Sequence, residues 1–470
     1  MQAALLPEMT TETAYSARWV LPISAPPIED GVVVVRGERI IAVGKATELR
    51  EQVVFARQVD LGNAVLMPGL VNAHTHLELT AMRGFLEGVD FREWLRVLTL
   101  ARRECFDETN LLDACRFGLI EALRNGITTC ADTTESGQPL VAMRECGVRG
   151  TGYIEVFGPD PAQCVASLSG LQRTVAAHRA LDTSLVHTGV SPHAPYTVSV
   201  PLFREVAQWA RAERLPVAVH IAESVAETAF VRDGNGPFAE RLRARNIAVA
   251  VQARSPIALL HETGILDTAP LLIHAIQVDE KDLALIAEHD ASIVHCPISN
   301  AKLGQGIAPL DRMLALGIRT GLGTDSVVSN DRMDMLSEAR QATLFAALRA
   351  SAPDALAAHD ALRLATLGGA QALGLGARVG SLEVGKDADL AAFPLDDATA
   401  TPVHDPAVTL VHVLAGATRA TLVSVAGKEL VRNGVVLHEH AGLDARIAAL
   451  GERLRRWRRA NVPPVGVSNR

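Results

Sequence analysis

The chain has 470 residues, 48% of them apolar, and a formal charge of −8, so it is long enough to bury a large core and to form more than one domain. The negative balance argues against a nucleic-acid partner gripped through its phosphates, and no run approaches the roughly 20 apolar residues of a membrane span. The cysteines, Cys105, Cys115, Cys130, Cys146, Cys164 and Cys296, form no Cys-x-x-Cys pair, and the N-terminus lacks a basic start followed by an apolar stretch; a reducing cytoplasm and no signal peptide are expected.

Residues 15–64 read as short strands and turns, with 31–44 as a hairpin. The segments 385–393 and 422–431 have the same texture. One small β domain built from both chain ends is therefore expected, with 1–64 as its N-terminal part and 379–440 as its C-terminal part. Residues 441–470 are left as a helix and tail, and the Arg-rich stretch 443–459 reads as a surface helix. Between the β-rich ends, residues 65–378 alternate apolar runs with longer amphipathic segments, the pattern of βα units. Eight candidate strands end near His76, Asp132, Phe157, His193, His220, His274, His295 and Asp325. Eight such units fit an α/β fold, a (β/α)8 TIM barrel, beside the small β domain formed by both chain ends. The long interval 224–270 reads as an insertion with a loop at 233–237.

His74-Thr75-His76 closes the apolar run 65–73. In a strand, side chains at i and i+2 share a face, so both imidazoles can reach one metal ion. Polar residues recur at other strand ends, where barrel active sites sit. His220 closes 215–219, His274 closes 271–273 and Asp325 closes 320–324. Histidine nitrogens with one carboxylate bind a divalent ion without cancelling its Lewis acidity. Such an ion lowers the pKa of water so that hydroxide exists near neutral pH. A further carboxylate is needed to move protons. His74, His76, His220 and Asp325 are the candidate ligands and Glu223 the candidate proton shuttle. His274 is the candidate for orienting the attacking oxygen or stabilising charge on the substrate, and Asp325 is counted with the catalytic groups as well.

The segments 68–76, 220–223, 295–303, 323–326 and 385–390, together with His274, resemble the amidohydrolase superfamily and specifically its metal-dependent deaminase branch. The resemblance covers nearly the whole chain. It implies a metal-bearing (β/α)8 TIM barrel with a small β-sandwich domain formed by both chain ends, and hydrolytic deamination of an amino-substituted heterocycle. Within that branch the chain looks most like enzymes acting on adenine nucleosides: S-adenosylhomocysteine/methylthioadenosine deaminases and aminodeoxyfutalosine deaminases. The stretch 74–79 followed by 91–94 leans toward the latter. The expected substrate is an adenine nucleoside such as aminodeoxyfutalosine, adenosine, methylthioadenosine or S-adenosylhomocysteine. The alternatives are a same-fold hydrolase with another leaving group, of triazine or chlorohydrolase type, and a guanine or cytosine deaminase. A non-catalytic binding protein on this barrel is disfavoured, because every expected ligand position is filled.

Binuclear members of the superfamily bridge two ions with a carbamylated lysine on the fourth strand. No lysine lies between Lys45 and Lys281, which excludes that bridge and favours one divalent ion, zinc or ferrous iron. The His-x-Glu and Pro-Cys-x-x-Cys pattern of other zinc deaminases is absent, as is a Gly-x-Ser-x-Gly elbow. On the substrate side, His193 either matches a substrate-contacting histidine of the family or has a structural role at its strand end. Trp94 either stacks on a base or belongs to the core. Glu78 either accepts hydrogen bonds from ribose hydroxyls or pairs with Arg83. His295 is expected to support the site, and His178, His261, His289 and His359 to be surface or packing residues. The expected partner is a small-molecule substrate, with no nucleic acid and no membrane; a homo-oligomer is left open.

Overall fold

The computed structural model describes residues 12–49, 57–89, 91–438 and 440–462. The expected N-terminal start and the tail beyond 462 lie outside them. Eight parallel strands form the centre: Leu70–Thr75, Ile127–Thr134, Arg149–Val156, Val186–Pro192, Ala218–Ile221, Leu271–His274, Ser292–His295 and Thr320–Leu322. They pair in chain order as two runs of four. Parallel bridges Val190–Val217 and Thr75–Asp325 join the runs and close the ring. The last four strands, with cores such as LLIH and SIVH, are buried at every residue. A parallel strand covered on both faces needs such a continuous apolar run. The result is a (β/α)8 barrel, and each expected strand end falls within a few residues of an observed one.

The apolar run 65–73 is not one strand. Ala64–Pro68 pairs with Glu12–Val20 and with Leu390–Pro394, whereas Leu70–Thr75 opens the barrel. Gly69 sits at the crossing, and a Cβ there would overlap the Thr128 side chain. Pairing therefore carries the terminal sheet to Pro68, past the division expected at 64. That sheet has nine strands, drawn from 12–68 at one end of the chain and 390–436 at the other. The expected hairpin is present as Ile28–Arg36 paired antiparallel with Arg39–Lys45. One face of the sheet buries Tyr15, Val33, Ile40, Leu66, Leu390 and Leu422 in a single cluster.

The insertion 224–270 carries helices Val225–Asp233, Pro237–Arg243 and Pro256–Glu262. The C-terminal helix Leu443–Asn461 is more than a surface helix. It packs on helices Phe91–Cys105 and Glu108–Arg124 and buries Leu443, Leu450 and Leu454. Among the described residues no helix is long and apolar enough to cross a membrane.

Candidate metal centre and its cavity

His74 lies at the end of the first strand and His76 just past it, His220 lies in the fifth, His274 ends the sixth, and Asp325 follows the eighth. The fold brings all five together. Ring centroids are 4.8 Å apart for His74 and His76, 5.0 Å for His74 and His220, and 5.7 Å for His220 and His274. Asp325 Oδ1 lies 3.2 Å from His74 Nε2 and 3.4 Å from His76 Nε2. Two overlapping sets, His74/His220/His274 and His74/His76/Asp325, have ligand atoms within 4.8 Å of one another. His274 thus shares the metal-binding geometry in addition to its expected role.

The backbone is strained where these side chains are aimed. Ala222, His274, Ala275 and Asp325 have φ of 51°, 76°, 48° and 57°. Non-glycine residues held in such conformations cost about 1–3 kcal/mol each, so the surroundings must enforce them. Glu227, wholly buried, does this for the turn after His220. Its carboxylate accepts from the Ala222 N–H at 2.7 Å and the Glu223 N–H at 3.0 Å. At the eighth strand, a Cβ on Gly323 would lie 2.9 Å from the backbone N of His74, so glycine lets the first and eighth strands close tightly.

The helix Pro297–Lys302 supplies two supports. Asp325 Oδ2 accepts from Ser299 Oγ at 2.6 Å and Ser329 Oγ at 3.1 Å, which leaves Oδ1 toward the imidazoles. His274 Nδ1 lies 3.0 Å from Asn300 Oδ1. A carbonyl oxygen only accepts, so Nδ1 carries the proton. His274 Nε2 then points an open lone pair into the site, 3.8 Å from Glu223 Oε1. Asp132 Oδ2 accepts from Thr75 Oγ1 and the Leu77 N–H, both at 2.6 Å, and pins the chain on either side of His76. His295 is buried beneath this layer.

Burial lowers His74 to about 4 and His220 well below the usual imidazole range, so both are neutral at neutral pH, as a ligand must be. Burial works to raise Asp325, but the neighbouring His74, His76 and His274 outweigh it and hold the carboxyl well below its usual range. Burial, then the charge of Asp325, pushes Glu223 up to about 8, so it carries a proton at neutral pH. Among the described residues His74 Nε2 and His220 Nδ1 are buried without a hydrogen-bond partner. Orphaned buried polar atoms cost about 1–3 kcal/mol unless something engages them. Neutral imidazoles converging with one carboxylate are a zinc-type donor set. The residues fit a divalent cation.

A cavity of about 520 Å³ opens beside this centre, the size of a small-molecule site. His76 and His193 line its floor. His193 stands 4.9 Å, ring to ring, from both His220 and Phe157, and its Nδ1 is 2.8 Å from Thr197 Oγ1. Glu78 lines the cavity but is already engaged. It accepts from Arg102 Nη2 and from Thr134 Oγ1, each at 2.6 Å, and from Ser136 Oγ. Arg83 is not its partner and pairs with Glu121 instead. Trp94 does not line the cavity. Its indole is 8% exposed, stacked near Phe91, in an apolar cluster that includes Leu450 and Leu454 of the C-terminal helix. Its helix contributes Leu95, Leu98, Thr99 and Arg102 to the wall instead.

Several residues were missed by the sequence reading. Glu155, two residues before the expected end of the third strand, lines the cavity with a buried, unpaired Oε1 and is pushed up to about 8, by burial first and Glu78 second. Its position near a strand end was the available signal. Tyr196 lay within the segment that flagged His193. Ser299 and Asn300 lay within the 295–303 motif without assigned roles. Arg241 and Arg245, from the insertion, also line the cavity and had no signal at all.

A barrel with its chemistry at the C-terminal ends of the strands defines a broad class of enzymes. The profile of the amidohydrolase family matches residues 65–436, and the chain belongs to that family. It is 32% identical over 418 residues to the 5-methylthioadenosine/S-adenosylhomocysteine deaminase of Moorella thermoacetica, covering 89% of this chain and 93% of that protein. An adenosine deaminase from Xanthomonas campestris with bound zinc has a similar structure, with a TM-score of 0.85, 30% identity, and coverage of 95% of this chain and 99% of that one. Atrazine chlorohydrolase from Arthrobacter aurescens complexed with zinc gives a TM-score of 0.80 at 25% identity, covering 93% and 100%.

Proposed function

We propose that the chain is a zinc-dependent deaminase of adenine nucleosides. One observation carries this reading above the others. A buried carboxyl, Glu223, lies 3.8 Å from a fixed imidazole, His274, beside orphaned imidazole nitrogens and a nucleoside-sized cavity. The names of the relatives support the same activity.

His74, His76, His220 and Asp325 hold the ion, with His274 alongside. When bound, the ion supplies Lewis acidity that brings the pKa of water toward neutrality. The chain's own groups then move protons. Glu223 gives its proton to the ring nitrogen next to the amino-bearing carbon as water adds to that carbon. As a carboxylate it takes a proton from the added water and passes it to the amino group. The C–N bond breaks, ammonia leaves, the remaining O–H proton returns to the Glu223 carboxylate, and the ring keeps a carbonyl oxygen. His274, oriented by Asn300, accepts an O–H of the attacking water. His193 and Glu155 face the nucleoside, and Glu78 holds Arg102 beside it. The terminal sheet, drawn from 12–68 and 390–436, acts as a β-sandwich domain beside the barrel. The six cysteines are buried and free, which suits a reducing cytoplasm.

The test is ammonia release by zinc-replete protein. Adenosine, methylthioadenosine, S-adenosylhomocysteine and aminodeoxyfutalosine should react far faster than free adenine, guanine or cytosine, because binding of the ribose side is used at the reacting carbon. Chelation should abolish the activity and zinc restore it. Rapid dechlorination of a chlorotriazine, with no ammonia from any nucleoside, would overturn the proposal.

A further inference from the structure

We infer that Arg241 and Arg245 select adenine nucleosides whose 5′-substituent ends in a carboxylate. This rests on the deaminase reading and narrows its substrate. Four nucleosides fit the sequence. Adenosine and methylthioadenosine end in neutral groups, whereas S-adenosylhomocysteine and aminodeoxyfutalosine carry a carboxylate at the end of a long substituent.

The cavity is chemically polarised. Beside the metal centre its charged groups are Glu78, Glu135 and Glu155, with Arg102 held between Glu78 and Glu135 at 2.6 and 2.5 Å. The walls contributed by the insertion are different. Phe238 stacks on Tyr196 with ring centroids 4.0 Å apart and an interplanar angle of 6°, and Leu242 continues the apolar surface. On the same segment stand Arg241 and Arg245, four residues apart. The helix Pro237–Arg243 runs into a turn closed by Arg245 N–H to Leu242 O, and both arginines line the same cavity. Both are exposed at the cavity, and among the described residues neither side chain has an ion-pair or hydrogen-bond partner. Their neighbours are treated differently: Arg232 pairs with Asp233, and Arg243 donates to Gly234 O at 2.7 Å.

An adenine ring with its amino group at the metal end leaves its 5′-substituent free to run along the apolar wall. A carboxylate at the end of that substituent meets two guanidinium groups, the donors best matched to it in planar, bidentate geometry. A neutral end leaves them in water. The insertion is thereby assigned a role as the specificity wall of the site.

The experiment measures kcat/KM of zinc-replete protein for the four nucleosides. The carboxylate-ended pair should exceed the neutral pair by about ten-fold or more, the scale of charge-assisted hydrogen bonds at an accessible position. In the double variant Arg241→Gln/Arg245→Gln that ratio should fall by about ten-fold, mainly through KM. The Arg241→Lys/Arg245→Lys protein should keep part of it, because charge survives and the planar fork does not. For the unaltered protein, raising salt from about 0.05 to about 0.5 M should shrink the ratio. Comparing S-adenosylhomocysteine with aminodeoxyfutalosine tells an amino-acid carboxylate from an aryl carboxylate. A ratio near one in the unaltered protein, or an equal fall for both pairs in the glutamine variant, overturns the inference while leaving the deaminase reading intact. No ammonia from any nucleoside overturns both.

Discussion

The two ends of the barrel bury polar groups in opposite ways. At the N-terminal end, Arg149 opens the third strand and is 1% exposed. It donates from Nε to Asp389 Oδ2 at 2.8 Å, and from Nη2 to Asp389 Oδ1 and Asp387 Oδ2, both at 2.9 Å. Asp387 also receives Arg378 at 2.7 Å and Arg39 at 2.5 Å. This network ties the barrel to the terminal sheet and gives the 385–390 motif a structural role. At the C-terminal end, His74 and His220 each keep a buried nitrogen unpartnered, and the residues that carry the site sit at strained φ. Where the chain pairs its buried charges with one another, the result is a joint, although Arg149 Nη1 keeps no hydrogen-bond partner among the described residues. The unpartnered nitrogens of His74 and His220 belong to the centre proposed above to hold the ion. Stability and activity are thus assigned to opposite faces, as barrel folds permit.

That contrast breaks most visibly at Glu223. Glu223→Gln keeps the shape and removes the titrating group. Turnover should fall by about two to four orders of magnitude, the usual contribution of general acid-base catalysis, while zinc content and melting temperature hold. Near-normal turnover in zinc-replete protein would remove Glu223 from the proton transfer. At the other face the effects should reverse. Arg149→Met strips a buried carboxylate pair of its partner and should cost about 3–5 kcal/mol in denaturant unfolding, with kcat of the folded enzyme retained. A cost below about 1 kcal/mol, the scale of a surface pair, would erase the difference between the faces.

A smaller effect sharpens the comparison through pH. Burial pushes Glu155, Glu227 and Glu338 up to about 8. Between about 4.5 and 8 the native state therefore binds protons that the unfolded chain releases, and stability falls as pH rises. Burial lowers His193 and His295 to about 3, from an ordinary 6.5. Those groups work the other way, adding stability as pH rises, but only up to about 6.5. The uncontested window is pH 6.5 to 8. Metal-free protein should lose stability across it, by up to about 1.4 kcal/mol per pH unit for each carboxyl, and Glu338→Gln should flatten the slope. A flat or rising melting temperature in that window would contradict the protonated state of these groups.

The sequence by itself determined the eight strands, the histidine- and aspartate-bearing strand ends and the position of Glu223. Each depends on a pattern within a few residues: a buried apolar run, an i, i+2 spacing, a short offset from His220. The terminal sheet was legible as two β-rich ends, but the break at Gly69 was not, because it depends on Ala64–Pro68 pairing with Leu390–Pro394. Trp94 could be placed in the core only once the last helix had brought Leu450 and Leu454 to it. Glu78 has Arg102, Thr134 and Ser136 for partners rather than the nearby Arg83, and Ser299 and Asn300 found their roles only against Asp325 and His274. Arg241 and Arg245 carried no pattern that distinguishes them from other surface arginines until the cavity placed them on its wall. Side-chain chemistry and local periodicity are written in the chain, whereas burial, pKa and partnership are set by segments far away in sequence, and only the packed tertiary structure decides them.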